Sequence, residues 1–358
     1  MQLLAGHSGS SLAPRVSSRR FLSHILLFSV LILGLSILPA SAQNALVLVG
    51  SGSSVPAPLY IRWAQEYGKR NPNLQMRYLT VGTSEGIKQI SHGAGDFAAG
   101  EAPLTDKERK DGGLIELPVV LIGIVPIYNL PDVHSELRLS GEVLAEIFLG
   151  ELKMWNAPQI AKLNPQITLP GLPIQVLNRP AGKGSNYVFT DFLSKVNSKF
   201  RSQIGVTASP KWPVGEPAER SSDMVDKVKN VPGSIGFVEY QYAVKSGIPQ
   251  ASVLNSSGKF VIASYESMAA ACNAAEAPRW NSFSASLSNA SGADSFPITS
   301  FSWIYLRASS ADSARVAALG DLLDWVFSDG ERYAVQEGYS ELPPPLLAVV
   351  RKKLKDMR

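Results

Sequence analysis

Between residues 45 and 103, an apolar run of strand length ends three times on a loop rich in glycine, serine or threonine. Ala45-Leu46-Val47-Leu48-Val49 leads into Gly50-Ser51-Gly52-Ser53-Ser54-Val55-Pro56, and Met76 to Val81 leads into Gly82-Thr83-Ser84-Glu85-Gly86. Asp96 to Ala99 leads into Gly100-Glu101-Ala102-Pro103. Pro58 to Arg70 reads as a helix with Leu59, Trp63 and Tyr67 on one face, and Ile87 to Ser91 as a second. The order β-α-β-α-β predicts a doubly wound α/β domain. Such sheets bind ligands beyond the carboxyl ends of their strands, so the three loops become candidate walls of a site.

A fourth loop carries charge. Ile174-Gln175-Val176-Leu177 reads as a strand, followed by Asn178-Arg179-Pro180-Ala181-Gly182-Lys183-Gly184-Ser185. Phe189, Phe192, Leu193, Val196 and Phe200 then recur at helical spacing, with Ser185 as the expected N-cap. A helix N-terminus offers unpaired N–H groups and partial positive charge, and Arg179 and Lys183 beside it predict a grip for a small oxyanion.

The remaining chain suggests a second lobe. Leu117 to Tyr128, apolar with two prolines, is read as strands leaving the first lobe. Helical segments containing Trp155 are expected between Leu144 and Asn164, and a buried strand after the turn at Val231-Pro232-Gly233. Phe296 to Ser300 and Trp303 to Leu306 form a late strand that returns the chain, and Leu319 to Phe327 an amphipathic helix. The expected division is 1–42 as a signal peptide, 43–121 with 302–358 as lobe 1, and 122–301 as lobe 2. Two crossings make a hinge, and lobes that close over a cleft are a known mode of capture.

Charge and composition exclude several classes. Net charge is +4, but Arg15, Arg19 and Arg20 lie in an acid-free leader whose removal leaves 31 basic against 30 acidic residues. That balance excludes a broad nucleic-acid face. Ile25 to Leu38 and the A-x-A signal Ala40-Ser41-Ala42 before Gln43 read as a cleaved export signal, and so as a periplasmic protein. One cysteine, Cys272, and four histidines cannot build a zinc site of the usual kind. Gly82-Thr83-Ser84-Glu85-Gly86 matches the nucleophile elbow G-x-S-x-G, but no histidine follows His134 to serve as base. Gly182-Lys183-Gly184-Ser185 lacks the full phosphate-loop spacing, and Gly50-x-Gly52 lacks a third glycine. The chain is therefore read as a binder and not an enzyme.

Gly50 to Pro58, Tyr78 to Ile90, Ala102-Pro103-Leu104, Leu149 to Pro165, Arg179 to Phe189, Trp212 to Gly215, Pro232 to Tyr240 and Phe296 to Ser300 resemble, in the same order, the periplasmic phosphate-binding proteins of bacterial phosphate-specific ABC transporters. The resemblance implies a type II periplasmic binding fold of two doubly wound α/β lobes, with inorganic phosphate buried between them and no metal or cofactor. It implies permease subunits as partners, and a monomer is expected. By that resemblance Ser54, Val55, Thr83, Glu101, Arg179, Lys183, Gly184 and Ser185 line the ligand, Glu101 accepting the phosphate proton. Glu101 stands where the family has aspartate, Lys183 where it has serine, and Ala181 where it has an aspartate that braces the arginine. The last two changes make the site more positive by about two charges. Other tetrahedral oxyanions, arsenate or sulfate, and an exported phosphate-ester hydrolase are the alternative readings.

Overall fold

A computed structural model describes residues 45–275, 280 and 283–357; the expected leader and its cleavage signal lie outside the described residues. The first half runs β1 (Leu46–Gly52), α1 (Ala57–Arg70), β2 (Leu74–Thr80), α2 (Thr83–Ser91), β3 (Phe97–Gly100), α3 (Asp106–Lys110) and β4 (Leu114–Tyr128). There follow β5 (Arg138–Leu139), α4 (Gly141–Phe148), α5 (Pro158–Leu163), β6 (Gln175–Asn178), α6 (Gly184–Val196), α7 (Ser198–Gln203), β7 (Glu216–Pro217), α8 (Ser221–Asn230), β8 (Ser234–Glu239) and α9 (Tyr240–Ser246). The chain closes with β9 (Ser252–Leu254), β10 (Phe260–Val261), α10 (Tyr265–Ala274), β11 (Thr299–Arg307), α11 (Ser313–Val326), α12 (Arg332–Glu337) and α13 (Pro344–Asp356).

Eight strands form one mixed sheet in the order β2-β1-β3-β11-β4-β8-β6-β7, and β10-β9-β5 form a smaller one. The parallel trio β2-β1-β3 is the βαβαβ unit that the loop pattern predicts. The sequence reads 117–128 as several strands; it is one, β4, fifteen residues long. Its first part, Leu114 to Gly123, pairs antiparallel with β11, and Ile124 to Tyr128 pairs antiparallel with β8. Pro118 is tolerated beside a register shift, where a missing N–H breaks no regular ladder.

That long strand positions the site. Gly100 at the end of β3 lies opposite Trp303, which lies opposite Pro118; Glu239 at the end of β8 lies opposite Ile124. The carboxyl ends of both halves therefore converge on the middle of β4.

Within one continuous core, a cluster of rings packs against each end of the sheet. Tyr60 stacks on Tyr78 at 4.7 Å and on Phe97 at 5.4 Å beneath the first half. In the second, Phe189 of α6 stacks on Phe237 of β8 at 4.2 Å and meets Phe148 of α4 edge-on at 4.9 Å. These rings fix how far α6 reaches toward the crossing. Arg315 of α11 closes the first half, its Nε and Nη2 each 2.7 Å from the Asp96 carboxylate.

Three expectations differ from the structure. The second helix begins at Thr83, not Ile87, so the glycine-rich loop is largely its first turn. Phe200 is not on α6: Asn197 interrupts the helix and caps α7, its Oδ1 accepting from the Phe200 N–H at 2.7 Å. Trp155 lies in the connection between α4 and α5, its indole N–H bonded to the Gly233 carbonyl at 2.8 Å.

Candidate anion-binding site

One wall is built around Glu101, the residue after β3, which has no solvent exposure. The Thr83 hydroxyl donates to its Oε2 at 3.3 Å and the Ser302 hydroxyl to its Oε1 at 3.0 Å. Burial pushes the carboxyl up to about 8; the hydroxyls of Ser53, Ser302 and Thr83 oppose that rise and the Glu239 charge adds to it. Beside it the first loop turns tightly, the Val55 N–H bonding the Ser53 hydroxyl at 3.1 Å. Tyr339 donates to the Val55 carbonyl at 2.7 Å, while Ser54 is half-buried next to it.

The facing wall is built around Arg179, the residue after β6. Its backbone is pinned, since its carbonyl accepts from the Trp212 indole at 3.1 Å and from Asn186 Nδ2 at 3.3 Å. Its side chain is nearly fully buried, and Nε, Nη1 and Nη2 all lack a hydrogen-bond partner among the described residues. The buried Ser185 hydroxyl lacks one as well. Unpaired buried donors are rare because each costs roughly 1–3 kcal/mol, more when charged, so four together mark a place made for an acceptor.

The N-cap of α6 is Lys183 and not Ser185, which falls within the first turn. The reason lies at Gly184: a Cβ there would stand 2.0 Å from Glu101 Oε2 and 2.6 Å from Thr83 Oγ1. Only glycine lets the helix start press against the opposite wall. At the rim the Ser84 N–H reaches the Gly182 carbonyl at 3.4 Å, joining the second and fourth loops. Lys183 turns outward, its Nζ 3.3 Å from the carboxylate of the largely exposed Glu219. Ala181 is exposed.

Thr83, Glu101 and Gly184 thus meet, with Ser185 next along α6 and Arg179 the residue after β6. Sequence reasoning missed Ser53, Ser302 and Glu239. Ser302 belongs to the returning strand, whose alignment against β3 no local pattern shows. Glu239 carried a signal: an acid at the carboxyl end of a fully buried strand, in the position the site rule favours.

A crossed sheet whose two sets of strand ends close around unpaired donors and a buried carboxyl defines the class: a type II periplasmic-binding-protein fold. A profile described as PBP superfamily domain matches residues 39–330. The chain is 34% identical to the phosphate-binding protein PstS of Haemophilus influenzae over 328 residues, covering 91% of this chain and 97% of that one. It is 36% identical to the phosphate-binding protein PstS of Pasteurella multocida over 321 residues, covering 88% and 92%. A crystal structure of a phosphate-binding protein from Stenotrophomonas maltophilia shares the fold, with a TM-score of 0.63 at 17% identity over 86% of this chain and 94% of that one. The chain belongs to the PBP superfamily and, within it, to the PstS family of phosphate-binding proteins.

Proposed function

We infer that this chain is an extracytoplasmic receptor that binds inorganic phosphate between the two halves of its sheet and hands it to the permease subunits of a phosphate ABC importer. The observation that carries the reading is the buried Arg179 guanidinium, without an acceptor of its own, on the loop that leads into a helix whose first residue lies against a protonatable carboxyl. Phosphate is held by Arg179, the Ser185 hydroxyl and the N–H groups at Gly184 and Ser185. Thr83, Ser54 and the Val55 backbone close the other side, and Lys183 adds positive potential at the rim. Charge-assisted bonds of this type contribute roughly 1.5–3 kcal/mol each. No metal or cofactor takes part. The lobes are 43–121 with 302–358 and 122–301, opening and closing about β4 and β11, and the receptor acts as a monomer. The leader exports it to the periplasm and is removed; among the described residues no helix is long and apolar enough to cross a membrane.

Glu101 supplies selectivity through a single proton. HPO₄²⁻ accepts from Glu101 while that carboxyl keeps its proton and donates its own remaining proton to the carboxylate once it ionises, so phosphate is accommodated on both sides of pH 8. Sulfate brings no proton and is accommodated only while Glu101 keeps its own. Isothermal titration with phosphate and sulfate at pH 6.5 and 9.5 tests this. Preference for phosphate should grow by about tenfold per pH unit once Glu101 ionises. Sulfate binding as tight as phosphate at pH 9.5 would remove Glu101 from the site, and absence of phosphate binding would overturn the function.

A further inference from the structure

Glu239 ends β8 with no solvent exposure, and neither carboxylate oxygen has a hydrogen-bond partner among the described residues. Among the described residues, one other buried charged side chain has every polar atom without a partner, and it is Arg179. Neighbouring strands hold the two. β6 and β8 run parallel, with Gln175 opposite Ser234 and Val176 opposite Ile235. The same register carried to the strand ends sets Arg179 level with Val238, the residue before Glu239. Tyr242 lies in the field of both charges: burial raises its phenol, Glu239 raises it further and Arg179 lowers it. Glu239 is likewise felt by Glu101 across the site.

The two ions do not form a direct pair, and that separation has a use. A carboxylate in contact with the guanidinium would occupy the N–H groups that an anion needs. One held nearby but apart offsets the cost of burying the positive charge while leaving every donor free. Ala181, two residues beyond the arginine, is exposed and brings no charge of its own. We propose that Glu239 is the charge partner of Arg179, a positioning residue that keeps the arginine buried and aimed without covering its donors and that moderates the site's attraction for anions.

This proposal rests on the phosphate-binding reading, and its test separates the two. In protein without phosphate, urea unfolding of Arg179→Met, Glu239→Gln and the double variant forms a cycle. Each single change strands one buried charge and lowers stability, whereas the double is at least as stable as either single. In titrations, Glu239→Gln binds phosphate about tenfold more tightly, because a negative charge near the anion is gone. Glu239→Asp, which keeps the charge, stays near the parent affinity and serves as the check if the Gln variant folds poorly. Additive losses in the cycle, or unchanged or weaker phosphate binding in Glu239→Gln, would overturn the proposal. A parent protein that fails to bind phosphate would sink the functional reading while leaving the urea cycle to decide this one.

Discussion

The two walls of the site differ in how far their polar atoms are already paired. Around Glu101 the carboxyl is met on both oxygens by protein hydroxyls, and its proton is retained by burial. Around Arg179 the backbone is fixed by Trp212 and Asn186, yet every guanidinium nitrogen and the Ser185 hydroxyl lack a protein partner. The acceptor wall is thus complete as folded, while the donor wall is completed by what binds. A receptor built this way gains stability from its ligand, since whatever binds the folded form alone shifts unfolding by mass action.

The largest effect should follow from breaking the incomplete wall. Arg179→Ala removes two or three charge-assisted bonds, so phosphate affinity should fall on the order of a thousandfold. The rise in melting temperature on adding phosphate should vanish with it. Because no described residue depends on the guanidinium for a hydrogen bond, circular dichroism should show the fold retained. A titration within tenfold of the parent would place the donor wall elsewhere.

Much of this contrast was legible in the sequence, and the rest failed for definite reasons. The βαβαβ unit and its loops could be read because glycine and hydroxyl residues mark the ends of strands β1 to β3, and Arg179 because a strand precedes it. The helix start could not. Ser185 is a better N-cap than Lys183 by local preference, but contact with Glu101 across the crossing makes Gly184 the first helical residue and shifts the cap by two. Pro118 and Pro126 argue locally for a broken strand, whereas two different partners, β11 and β8, hold β4 together along its length. Ser302 reaches Glu101 through strand alignment alone, across a sequence separation of 201 that leaves no periodic trace, whereas Glu239 was marked by its place at the carboxyl end of a buried strand.

Changing the complete wall should have a smaller and pH-dependent effect. A carboxyl that holds its proton to about pH 8 when folded, against about 4.5 when unfolded, favours folding fully below the lower value. That contribution declines as pH rises toward the upper one. Glu116 and Glu331, both pushed up to about 7 by burial, act with the same sign, so Glu101 is distinguished by the stretch between pH 7 and 8. In Glu101→Gln, denaturant unfolding across that stretch should lose most of its slope. The rise in phosphate-over-sulfate preference above pH 8 should disappear in the same variant. If both trends persist, the proton is held by another group and the acceptor wall is misassigned.

Lys183 should matter least, although charge alone marked it as the obvious ligand. Its amine sits 3.3 Å from Glu219 at the rim, and Glu219 is 71% exposed, so the pair lies where water and salt weaken it. Its field can still draw anions toward the mouth. Screening sets the reach of that effect, at about 8 Å in physiological salt and about 30 Å at 0.01 M ionic strength. Lys183→Ala should therefore slow phosphate association at low salt while leaving dissociation unchanged. At physiological salt its affinity should stay within about threefold of the parent. Stopped-flow rates across a salt series separate these cases, because a lysine that bonds the anion directly would speed dissociation at every ionic strength. That outcome would move Lys183 from the rim into the donor wall and leave Glu219 as its partner only when no anion is bound.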